Sequence, residues 1–232
     1  MTRETRYKVN MVLRYVILLA VGVVMVYPLI WMIGASFMTN EQIFSSVNFI
    51  PKAPTFSGYQ KGFAGYQGMT LLHFMANTYK FVIPKVIFTV ASATLTAYGF
   101  ARFNFVGKRF SFAILLSTLF LPQVVLNVPQ YILFDQVGWL DSYLPIIIPS
   151  LLAGDTYFVY MLIQFLRGIP RELEEAAEID GANSIQKFFK ITLPLMSRNM
   201  LFVVIMTCIS YFQVFAQVQI MTQGGPENHT NV

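Results

Sequence analysis

Apolar residues run along this chain in long unbroken stretches rather than in the alternation of half-buried strands, and most of the charge sits between them. The first stretch, about Tyr15 to Met38, is longer than 20 residues. At about 1.5 Å per residue it crosses a hydrocarbon core of about 30 Å, and it exceeds the apolar core of a signal peptide. Similar stretches cover about Phe81 to Phe100, Phe110 to Leu133, Tyr143 to Leu166 and Met200 to Met221. The pattern predicts an all-α membrane protein, a polytopic helical bundle with five spans. Pro122 and Pro129 remove amide donors inside the third span and predict a kinked or broken helix there, while Pro145 and Pro149 fall near the start of the fourth. The chain divides into residues 1–38, a tail and first span, residues 39–72, a Gly- and Pro-containing outer loop, and residues 73–232, the core, with a polar loop at 168–198. The 39–72 segment reads equally as an ordered loop or as a plain connector.

Composition agrees with this reading. Hydrophobic residues make up 56% and charged residues 12% of the chain, about half the usual charged share of a soluble domain. A net charge of +5 points to nucleic acid only in a soluble protein. Here the placement of Lys and Arg matters more. The tail holds Arg3, Arg6, Lys8 and Arg14, the turn after the second span Arg102, Lys108 and Arg109, and the 168–198 neighbourhood Arg167, Arg171, Lys187, Lys190 and Arg198, twelve of the sixteen. The positive-inside rule therefore places the N-terminus and the 168–198 loop in the cytoplasm and makes Lys52, Lys61, Lys80 and Lys85 outer residues. Lys85 is about 25 Å of helix from Arg102, and its ammonium is expected to snorkel to the outer interface. Cys208 stands alone in an apolar run, and His73 and His229 lack metal-ligand spacing, so neither a disulfide nor a metal or other cofactor is expected.

The 168–198 loop has its own local logic. Pro170 suits a first helical turn, Glu172, Glu174 and Glu175 favour the positive end of a helix, and Gly181 can stop it, which predicts a short acidic helix over about 170–180. Leu173, Ala176 and Ala177 share one face, small enough for another protein to approach closely. Ser184 is the expected cap of a second short helix carrying Ile185, Phe188 and Phe189, which Pro194 is expected to end. The acidic side chains are expected to face water. An amphipathic loop resting on lipid headgroups is the alternative.

Glu175-Ala176-Ala177, three residues, Gly181, nine residues, then Ile191-x-Leu193-Pro194 resembles the signature loop of the membrane subunits of bacterial ABC importers. Phe49-Ile50-Pro51, Asn77-Thr78, Ala97-Tyr98 with Ala101-Arg102, and Thr222-Gln223-Gly224-Gly225-Pro226 are similar to the carbohydrate permeases of that group. The resemblance implies the ABC importer permease fold, in the bacterial inner membrane. It implies that Glu174, Glu175, Ala176, Ala177, Asp180, Gly181, Ile191, Leu193 and Pro194 couple to an ATPase. The implied partners are a second homologous permease, two cytoplasmic ATP-binding subunits, an extracytoplasmic solute-binding protein, a small-molecule sugar and membrane lipid, with no nucleic acid. The segment through Asp135, Gly138 and Leu140-Asp141 resembles one of the two sugar permeases and the Gly-Gly-Pro tail with Thr230 the other, leaving both halves of the heterodimer open. The resemblance also implies one more span after that tail, which is missing here.

No Gly-x-x-x-x-Gly-Lys-Ser/Thr loop occurs and no nucleophile or carboxylate pair gathers, so the chain is expected to be a non-catalytic subunit whose energy comes from a partner. The sharpest remaining residue is Asp155, about 18 Å inside the fourth span, where a carboxylate costs about 2.5–3.5 kcal/mol on an insertion scale and must face protein or a water-filled path. It reads as an acceptor for sugar hydroxyls, or as a structural partner of Asn127, Gln130 or another subunit. Tyr157 and Tyr160 can stack on a sugar ring or simply pack. With no basic residue expected at midplane depth, a neutral sugar is preferred over a glycerol phosphate; a peptide, an amino acid, or a non-transporting scaffold that docks a soluble partner are the other readings.

Overall fold

A computed structural model describes residues 3–45, 49–65, 69–140, 142–214 and Val218, in two compact units, Met1–His73 and Phe74–Val232. Among the described residues every element is a helix, and four helical segments are long and apolar enough to cross a membrane, over Thr5–Ala35, Leu71–Arg102, Leu144–Gly168 and Ser184–Phe212.

In the first unit, α1 (Arg3–Ala35) becomes apolar on all sides beyond Arg14, and none of its spanning window is buried among the described residues. An apolar helix surface of this kind suits lipid or a partner helix. Beyond it, α2 (Asn40–Ser45) and α3 (Ser57–Ala64) fold back on its end. Phe37 meets Phe56 and Tyr59 at ring separations of 5.5 and 5.7 Å, and the Tyr59 hydroxyl donates to Ser36 Oγ at 2.9 Å. Gly34 makes this return feasible, because any Cβ there would collide with the Phe49 carbonyl. Within the 39–72 segment, Phe49, Phe56 and Tyr59 thus pack against aromatic side chains of the 27–37 region.

The second unit is organised on α4 (Leu71–Arg102). Its buried side chains recur in pairs four residues apart, from Phe81-Val82 through Lys85-Val86, Thr89-Val90 and Ala93-Thr94 to Ala97-Tyr98. That is one helix face, narrowed by Ala93, Ala97 and Ala101, and it joins a buried cluster with Val159, Leu162, Ile163 and Leu166 of α8 (Thr156–Gly168). Because α4 starts at Leu71 rather than near Phe81, Lys85 lies at its middle and not near an end; it is buried and does not snorkel.

The third expected span is two helices, α5 (Lys108–Thr118) and α6 (Gln123–Gln136). At about 17 and about 21 Å neither crosses a membrane by itself. Pro122 makes the break with an extended ψ of 129°, whereas Pro129 is accommodated inside α6. The fourth expected span is also interrupted, between α7 (Leu144–Leu151) and α8. The Pro149 carbonyl accepts from Leu152 and Gly154 amides, Ala153 takes a left-handed φ of 55°, and a Cβ on Gly154 would sit 2.8 Å from the Pro149 oxygen.

After α9 (Glu172–Ile179), α10 (Ser184–Lys187) leads through a π turn at Phe188–Thr192 into α11 (Leu193–Phe212). Pro194 does not end the second short helix. The π turn bonds Leu193 N–H back to Phe188 O, and the widened turn leaves room for the proline ring at the start of α11. The outer end of the last expected span near Met221, the Thr222–Pro226 segment, Thr230, His229 and Asp141 lie outside the described residues.

Candidate functional site

The 171–194 segment forms a hook. Helix α9 closes with a Schellman motif: Ala182 N–H donates to Ala177 O at 2.8 Å, Gly181 N–H to Glu178 O at 3.0 Å, and Gly181 sits at φ +84°. Asp180 is the last residue before that turn. The cap of α10 is Asn183, not Ser184. Its Oδ1 accepts from Gln186 N–H at 2.8 Å while Gln186 Oε1 accepts from Asn183 N–H at 2.9 Å, a reciprocal capping box. Lys187 Nζ bonds Glu178 Oε2 at 2.8 Å across the turn, which holds the Glu178 carboxyl below and the Lys187 ammonium above their ordinary values.

One acidic residue does not face water. Glu174 Oε1 accepts from Arg102 Nε at 2.8 Å and from Thr192 Oγ1 at 3.0 Å, with both charged side chains mostly buried. Arg102 also donates to the Ile169 carbonyl at 3.3 Å and Arg171 to that of Ala101 at 3.4 Å. The hook is therefore bolted to the end of α4 and the start of α11. Phe188 adds an edge contact to Tyr98 at 4.9 Å. Ile191 and Leu193 are half-buried at the root, and Pro194 is exposed. The opposite side, with Leu173, Glu175, Ala176, Ile179 and Ile185, is exposed, and Ala177 is half-exposed.

The second place is a cavity of about 270 Å³ at the α7–α8 break, walled by α4, α6, α7 and α11. Asp155 lies on its wall at the N-terminal boundary of α8 but does not cap it; its Oδ2 accepts from the Tyr211 hydroxyl instead. That hydroxyl shares a 2.8 Å hydrogen bond with Thr89 Oγ1, and Lys85 Nζ stands 4.3 Å over the Tyr211 ring. Lys85 and Gln130 also line the cavity, so a basic residue does reach the wall that carries Asp155. Of the other sequence candidates, Asn127 is on α6 outside this lining, with its Oδ1, like Gln130 Oε1, unpartnered among the described residues. Tyr157 is exposed and edge-on to Phe158, away from the lining.

Sequence reasoning missed Lys85 and Tyr211 on the cavity wall, Thr89 as the partner of the Tyr211 hydroxyl, and Arg102 as the bolt of the hook. Lys85 carried a signal, an ionisable residue inside an apolar run; Gly154-Asp155-Thr156 carried another, a turn and helix start inside a supposed continuous span.

Residues 74–230 match the family described as the binding-protein-dependent transport system inner membrane component. The chain is 32% identical over 192 residues to the galactooligosaccharides transport system permease protein GanQ of Bacillus subtilis, covering 83% of this chain and 68% of that one. It is 29% identical over 171 residues to the sulfoquinovosyl glycerol transport system permease protein SmoH of Agrobacterium fabrum, covering 73% of this chain and 59% of that one. The fold is that of a chain in the crystal structure of a bacterial ABC transporter involved in the import of the acidic polysaccharide alginate, at a TM-score of 0.81 and 19% identity, covering 100% of this chain and 79% of the other. A bundle with broken helices, a bolted two-helix hook, and these matches have one common source: the chain belongs to the binding-protein-dependent transport system inner membrane component family, the membrane permeases of ABC importers.

Proposed function

We propose that this chain is a permease subunit of an ATP-driven importer of sugars or oligosaccharides and that its hook docks a separate ATPase. The observation that carries this is the hook itself. Its inner side is fixed by the buried Arg102–Glu174–Thr192 cluster, while its outer side leaves Leu173, Ala176, Ile179 and Ile185 without a partner among the described residues. A bolted element with an exposed small and apolar face transmits a push, and a loop floating on headgroups has no need for such a bolt. The placement of basic residues supports a cytoplasmic hook and N-terminus.

The rest of the assembly follows the same reading: a second homologous permease, two ATP-binding subunits and an extracytoplasmic solute-binding protein. The unburied α1 is a surface such a second permease can cover. The cavity at Asp155 is a stretch of the translocation path, and the saccharide names of the relatives favour sugar over other solutes. A plain scaffold has no use for a polar cavity between broken helices.

Affinity purification of the tagged full chain from mild detergent tests this. The expected result is recovery of an ATP-binding subunit and a second permease. Recovery of the chain without either would remove the reading.

A further inference from the structure

The cavity holds a charge that a neutral-sugar path does not use. Lys85 is about 21 Å of helix from Leu71 and about 25 Å from Arg102, in the middle of α4. It is 8% exposed and lines the cavity, and among the described residues its Nζ has no hydrogen bond and no carboxylate at ion-pair distance, only the face of Tyr211. Asp155 on the same wall is already engaged by the Tyr211 hydroxyl, which Thr89 holds in turn. Asp155 is thus committed as a hydrogen-bond acceptor to Tyr211; its charge still reaches Lys85, but it gives Lys85 Nζ no hydrogen bond. Gln130, also on the wall, has an amide oxygen with no partner among the described residues.

We propose that Lys85 recognises an anionic group on the transported saccharide, the carboxylate of a uronic acid or a sulfonate, with Gln130 bonding a neighbouring hydroxyl. This rests on the reading of the chain as a saccharide permease and narrows its substrate class. A sugar hydroxyl gives an ammonium a neutral hydrogen bond, whereas an anionic oxygen gives a charge-assisted one, shorter and roughly twice as strong, and Asp155, held by Tyr211, does not supply it. The flat Tyr211 ring beneath Nζ fixes the ammonium in place before the ligand arrives.

The test uses the complex recovered with the tagged full chain, placed in lipid nanodiscs with no extracytoplasmic binding protein added. Two probes are compared by saturation-transfer NMR titration, digalacturonate and the neutral galactobiose. Wild type should bind digalacturonate at least about tenfold more tightly than galactobiose, Lys85→Met should weaken digalacturonate at least about tenfold, and Lys85→Arg should stay within about threefold of wild type. Equal affinity for the two probes, no saturable digalacturonate binding, or a preference that survives Lys85→Met overturns the proposal. If Lys85→Met does not assemble, the wild-type comparison alone decides. Failure of the underlying reading looks different, because then no ATP-binding subunit accompanies the wild-type chain.

Discussion

Glu174, through its carboxylate, and Ala153, through its left-handed backbone, are the two positions where a single substitution tests the local architecture. Removing the Glu174 carboxylate strands the Arg102 guanidinium, whose side chain is 6% exposed, and leaves Thr192 Oγ1 without its acceptor. Glu174→Ala should cost about 3 kcal/mol, because losing one partner of a buried pair uncovers the desolvation cost of the other. The double variant Arg102→Met with Glu174→Met should be markedly more stable than Glu174→Ala in thermal unfolding of the detergent-solubilised protein; equal losses would mean that the pair is not buried as described. Ala153 occupies the left-handed region at φ 55° beside the cavity. Ala153→Gly should match or exceed wild-type stability, while Ala153→Val should lose about 1–3 kcal/mol in the same melting measurement, since a β-branched residue fits that region worst. Comparable melting of the two variants would show that the φ carries no strain.

Among the elements, the hook was legible in the sequence because each of its parts is local. Acidic residues at a helix start, Gly181 at a left-handed turn and small residues on one face are all read from short spacings. Its cap was misassigned by one residue because Asn183 and Ser184 are both good caps, and only the reciprocal bond from Gln186 decides between them. The role of Glu174 was not legible, since its partner Arg102 is 72 residues away. The π turn escaped for a similar reason: a proline reads as a stop unless the preceding turn widens to receive it. The Glu178–Lys187 pair closes the hook, and its pH behaviour follows from the two shifts. The lowered carboxyl contributes above the ordinary 4.5 and is lost as pH falls through its folded value; the raised ammonium contributes below 10.5 and is lost as pH rises through its folded value. ATPase co-purification should therefore be flat from about pH 6 to about pH 9. Glu178→Gln should weaken it by no more than about twofold, less at high salt, because the pair is solvent-screened. A titration inside that window would contradict this account of the hook.

For the molecule as a whole, the membrane class, the number of apolar stretches and the break at Pro122 follow from residue type and run length alone, because a bilayer imposes both. The polar cavity does not follow, since Lys85, Gln130, Asp155 and Tyr211 come from four distant segments and only packing brings them together. The interruption at 152–155 hid inside an apolar run whose composition is still that of one span. Joining the two sites, α4 runs from Lys85 and Thr89 at the cavity to Arg102 at the hook, and α11 runs from its junction with the hook to Tyr211. On the proposed reading a displacement of the hook moves two cavity walls together, and this is the central claim. It is tested most directly by ATP hydrolysis in reconstituted vesicles, with and without the solute-loaded binding protein. The variants are Gly181→Val, which puts a β-branched side chain at φ +84°, and Ala177→Trp, which adds bulk beside the docking face. Both lie outside the cavity, so the account predicts that solute-stimulated hydrolysis and ATPase co-purification fall together in both variants. Wild-type stimulation with normal co-purification in both would contradict it.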